Sequence, residues 1–104
     1  MVDLSFNFTA KCWLWQSEKA AWHFVTLPQE QSEEIRFFNE NLSHKKRGWG
    51  AVRVQVTIGQ SMWETSVFPH KESNAYILPI KASVRKAENI TEGSEVMLAL
   101  KINV

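Results

Sequence analysis

The sequence predicts a mainly β fold, a small closed or half-closed barrel of six or seven strands with one or two short helices. Three observations carry this. Apolar and polar residues alternate over several long stretches, most strictly from Leu4 to Leu14 and from Val52 to Ile58. The run HFVTLPQEQSEEIRFF in the first half is echoed by AYILPIKASVRKA in the second: each places an apolar stretch before Leu-Pro (Leu27-Pro28, Leu78-Pro79), then a Ser, then a branched aliphatic followed by Arg (Ile35-Arg36, Val84-Arg85). Two such units have more strand edges than an open sheet leaves safely exposed, and closure into a barrel pairs them. The echo is imperfect, since Pro28 lies seven residues before Ile35 and Pro79 five before Val84.

The elements follow in order. In residues 4–14, Leu4, Phe6, Phe8, Ala10, Cys12 and Leu14 share one face and Ser5, Asn7, Thr9 and Lys11 the other. Trp13 and Trp15 then fall on the polar face unless a bulge reverses the alternation. Residues 21–27 form a second strand ended by Pro28, which cannot donate to a ladder. Ser32, followed by Glu33 and Glu34, is the expected helix start, with Ile35, Phe38 and Leu42 at helical spacing. Val52, Val54, Val56 and Ile58 mark the third strand, and Gly59-Gln60-Ser61 turns into a fourth over residues 62–68, closed by Pro69. Strand 75–80, a brief helix 82–88 and a last strand 95–104 complete a strand–strand–helix–strand unit used twice. Each helix is expected to cover an open barrel end.

Composition bounds the function. At 104 residues the chain is one domain, residues 1–104, able to bury roughly 60–70% of its unfolded surface. The start MVDLSFNF has no signal-peptide pattern and no apolar run is long enough to cross a bilayer, so a cytoplasmic, non-membrane setting is expected. Cys12 is the only cysteine, which excludes an intrachain disulfide and suits a reducing compartment. A net charge of +1 gives no field to draw the chain onto nucleic acid. Asp3 is the only aspartate, which leaves little for Mg²⁺-dependent phosphoryl transfer. His23, His44 and His70 are scattered without ligand spacing, so no metal and no cofactor is expected. Cys12 reads as a small core residue with no local base, and Ser66 lacks the glycine-flanked elbow of a hydrolase serine. No catalytic residue is assigned.

Five tryptophans in so short a chain need an explanation. Trp15, Trp22 and Trp63 stand in or beside strands near turns, where they either plug the barrel or line a pocket. Lys81 and Arg85, four residues apart, either solvate a helix face with Lys86 or hold an anion. The resulting expectation is a non-enzymatic barrel that binds a small molecule or a protein partner through Trp22, Trp63, Ser66, Lys81 and Arg85, as a monomer or weak homodimer. The alternative is a DNA- or RNA-associated regulator that grips its strand through Lys45, Lys46, Arg47 and Trp49. Against it stands the plain reading of that loop as solvated surface.

The motifs WHFVTLP, RGWGAVRVQVTIG, WETSVFP, YILPIKASVRKA and ITEGSEVMLAL, in this order, resemble a family of small prokaryotic β-barrels known as domain of unknown function nineteen-oh-five. The likeness covers nearly the whole chain and implies a compact barrel of split or psi-type topology, with no catalytic residues to carry over. The ending LPIKASVRKAENITEGSEVMLAL is also similar to the unit of swapped-hairpin and cradle-loop barrels, which include dimeric DNA-binding regulators. It departs from them in its near-neutral charge and in Ser94, which stands where an acidic residue commonly follows the glycine.

Overall fold

A computed structural model describes residues 3–41 and 50–103. The elements are β1 (Asp3–Gln16), β2 (Ala21–Thr26), α1 (Gln29–Asn41), β3 (Val52–Ile58), β4 (Ser61–His70), β5 (Ala75–Pro79), α2 (Ala82–Ala87) and β6 (Glu95–Asn103). The six strands close into an antiparallel barrel in the order β1-β2-β5-β4-β3-β6. Exchanging β1 with β4, β2 with β5 and β3 with β6 maps this ring of pairings onto itself, so the strand–strand–helix–strand unit is used twice.

The two longest strands make closure possible, because each serves two neighbours in succession. β1 pairs with β6 from Asp3 to Lys11 and with β2 from Cys12 to Gln16. Its counterpart β4 pairs with β3 from Ser61 to Val67 and with β5 from Phe68 to His70. Alternation points one side of every strand inward. Val25, Val56, Val67, Leu78 and Leu100 are wholly or almost wholly buried, and Leu4, Phe8, Ala10 and Trp63 pack partly buried against the same core.

Two local readings change, and one is kept. β4 runs through Pro69 to His70 instead of closing before it. The β3 ladder ends at Val52↔Val67, so on the side that Pro69 turns away from β5 no strand asks for the missing N–H. Helix α1 begins at Gln29, one turn before Ser32, directly after Pro28, whose carbonyl accepts the Ser32 N–H at 2.9 Å. Ser32 is therefore inside the helix, fully buried, and its Oγ accepts the Tyr76 N–H at 3.0 Å, tying α1 to β5. No bulge interrupts β1: Trp13 pairs with Phe24 and Trp15 with Trp22, on the outward side.

The halves differ in their helices, since α1 has 13 residues and α2 has 6. α2 is held at its end by Glu88, whose carboxylate accepts the Ser61 hydroxyl at 2.7 Å and lies against Gly59. A side chain at Gly59, where φ is +57°, would collide with that carboxylate. Across the barrel, the turn before β6 is closed onto β1 by Gly93 N–H to Cys12 O and Cys12 N–H to Ser94 O, both 2.8 Å. Among the described residues, no helix is long and apolar enough to cross a membrane.

Candidate functional site: an aromatic outer wall

The outward register of β1 and β2 builds the site. Because Trp13 lies opposite Phe24 and Trp15 opposite Trp22, four rings stand side by side on the outside of the barrel. Trp13 is the anchor. Its ring meets Phe24 at 5.1 Å and His70 at 5.7 Å, both tilted, and its Nε1 donates to Thr26 Oγ1 at 2.9 Å. Trp22 stacks on Phe24 with centroids 6.2 Å apart and planes within 12°. β5 adds Ile77 and Pro79, and β4 adds Phe68 and His70. Together they line a shallow groove of about 450 Å³. Trp22 is 52% exposed, Trp15 47% and Phe68 37%, so these apolar surfaces meet solvent. The polar groups sit at one end, where His70 Nδ1 shares a hydrogen bond with Ser73 Oγ at 2.7 Å and Nε2 lies 3.6 Å from Glu72.

A smaller cleft of about 200 Å³ adjoins this groove, with Trp22 and Pro79 lining both. It opens where β4 and β5 part. Their ladder has only the pairs Phe68↔Ile77, Pro69↔Tyr76 and His70↔Ala75. Tyr76 O and Ile80 N bond toward β2, so alternation turns the intervening Pro79 toward β4, and a proline offers no N–H there. The Leu-Pro echo thus ends a ladder and leaves a gap, which Trp63, Thr65, Ile80 and Lys81 border.

The cleft brings together Trp22, Trp63 and Lys81 from the sequence-predicted set. Ser66 and Arg85 line neither cavity. Ser66 stands opposite Arg53 in the β3–β4 ladder, while Arg85 donates from Nε to Ile80 O at 3.1 Å and borders a separate cleft with Lys86 and Asn89. Lys45, Lys46, Arg47 and Trp49 lie outside the described residues. Sequence reasoning missed Trp13, Phe24, Phe68, His70 and Ile77. The available signal was the outward parity of Trp13 and Trp15 on the otherwise polar face of β1.

Inside the same end of the barrel lie Cys12 and His23. Burial pushes the Cys12 thiol up from its ordinary value; Arg85 opposes this and Glu92 adds to it, so the thiol stays protonated and unreactive. His23 Nδ1 is buried with no hydrogen-bond partner. Burial lowers its pKa, with Arg85 acting in the same sense and Glu92 against it. Among the described residues, no three His, Cys, Asp or Glu side chains come together in a way that could hold a metal ion.

No curated protein sequence matches the chain. A family model described as Domain of unknown function (DUF1905) matches residues 8–100, most of the chain and at least part of every strand of the barrel, and the protein belongs to that family.

Proposed function

We propose that the protein is a non-enzymatic binding barrel that takes a small apolar or aromatic molecule on its outer wall. The observation that carries this is the solvent-exposed groove of about 450 Å³ lined by Trp13, Trp15, Trp22, Phe24 and Phe68. Folding needs apolar residues facing inward, and these face outward. The groove volume falls in the range of small-molecule sites, and Trp13 is already fixed by Thr26, so the surface is largely formed before a ligand arrives. Among the described residues, Lys81 is the only lysine or arginine lining the groove or the cleft beside it, and phosphate backbones therefore find little to hold there. A cytoplasmic monomer or weak dimer fits this reading.

The test is a titration of the full chain against neutral naphthylethanol, followed by the anisotropy of the probe's fluorescence. Saturable binding is expected, weakened at least tenfold by Trp22→Thr, with circular dichroism and thermal unfolding used to check that the variant stays folded. Absence of saturation up to the probe's solubility limit, or equal binding by the variant, would overturn the proposal.

A further inference from the structure

We infer that the ligand of this wall is an aromatic carboxylic acid whose flat body lies on Trp22 and Pro79 and whose single carboxylate reaches Lys81. This rests on the binding role proposed above and adds the chemistry of the ligand. Trp22 and Pro79 line both the groove and the cleft, so a molecule lying on them touches both spaces. The groove is almost wholly apolar until it reaches its two ends, and those ends differ in sign. Near the β4–β5 turn stand Glu72 and His70; beyond the other end of β5 stands Lys81. β5 has five residues, which at roughly 3.3 Å each separates the ends by about 16 Å. An anion is repelled by Glu72 and drawn to Lys81, which fixes the direction in which the molecule lies.

The number of charges follows from what surrounds Lys81. Its ammonium has no hydrogen bond or ion pair among the described residues, and it is exposed, so it is free to meet a ligand. Arg85, four residues on, borders a different cleft and is engaged with Ile80 O. Glu64 borders the same cleft as Lys81, and its own partner is Arg53 at 4.0 Å. One ammonium can balance one negative charge, and the Glu64 carboxylate in the same cleft opposes any second. A dianionic phosphate would meet a single cation and the Glu64 carboxylate together. The aromatic body is chosen by Trp22, whose ring is held parallel to Phe24 and leaves half its surface open for stacking.

The experiment compares naphthylacetate with its neutral isostere naphthylethanol on the parent protein, Lys81→Gln and Lys81→Arg. The parent is expected to bind the acid roughly threefold to fivefold more tightly than the alcohol, as for a solvent-exposed ion pair. Lys81→Gln should bring the acid down to the alcohol's affinity, and Lys81→Arg should keep the preference. Equal binding of acid and alcohol by the parent, or a preference that survives Lys81→Gln, overturns the assignment of the anion while leaving the aromatic wall as a binding site. Failure of both probes to bind the parent removes the wall as a site, and this inference with it.

Discussion

Along β1, Ser5, Asn7 and Thr9 face solvent beside β6, and a few residues further the same outward register puts Trp13 and Trp15 beside β2. The barrel therefore has two unlike outer walls on one continuous strand. The β6–β3 wall shows Arg53, Gln55, Thr57 and Lys101, together with the exposed Met97. The β2–β5 wall shows Trp22, Phe24, Ile77 and Pro79. Beneath both the interior is packed and mostly apolar, with Phe6, Val54, Val56, Leu98 and Leu100 under one and Val25 and Leu78 under the other. On the β6–β3 wall the outward side chains are mostly polar, Met97 being the large apolar exception, and none of them is aromatic. On the other wall Trp13 and Phe24 pair across β1 and β2, while Trp15, Trp22 and Phe68 leave much of their apolar surface to solvent, and that exposure is what the proposed binding role explains.

The largest effect should come from attacking what the walls share. Leu78, on β5 opposite Val25 of β2, is fully buried beneath the aromatic wall. Leu78→Ala is expected to cost about 2–5 kcal/mol in urea-induced unfolding, the usual range for emptying a core position. A cost below about 1 kcal/mol would mean that the wall, not the core beneath it, holds β2 and β5 together.

A smaller effect separates the interiors by pH. Under the aromatic wall, His23 carries a buried, unpartnered Nδ1, and burial holds its pKa below the ordinary imidazole value; under the polar wall the core residues Phe6, Val54, Val56, Leu98 and Leu100 carry no ionisable group. In this range the unfolded chain takes up a proton that the folded chain refuses. The stability present above about pH 6.5 is therefore lost as pH falls toward the depressed value. Unfolding free energy measured from about pH 7 to about pH 5 should decline in the parent and decline less in His23→Leu. A parent that gains stability on acidification, or an identical slope in the variant, would contradict this reading of His23.

The smallest effect belongs to the polar wall. Arg53 and Glu64 approach at 4.0 Å with more than half of each side chain exposed. Glu64→Gln should alter stability by less than about 0.5 kcal/mol, within the range of surface pairs, as read by the same denaturation. A larger loss would show that this wall too contributes specific structure.

The architecture was legible in the sequence because burial imposes a period of two that no tertiary detail alters, and the Leu-Pro echo marked the repeat. Where local signals compete, the sequence misled. Ser32 followed by glutamates reads as a helix cap, yet its hydroxyl is used by Tyr76 on a distant strand. Pro69 reads as a strand end, yet the neighbour it would offend, β3, has already stopped. The site was less legible still. Trp22 and Pro79 become neighbours only through the β2–β5 ladder, a pairing that alternation cannot specify. Ser66 and Arg85 entered the expected set through local patterns, and neither lines the groove or the cleft beside it.

The most direct test of an aromatic wall built for binding is a map of backbone and indole N–H chemical shifts in the full chain as naphthylacetate is added. The account requires the indole signals of Trp15 and Trp22 and the amides of Ile77 and Ile80 to move together and saturate, while Asn7, Gln55 and Thr57 on the opposite wall stay still. Shifts that gather on the polar wall, or that leave Trp15 and Trp22 unmoved at millimolar probe, would contradict it.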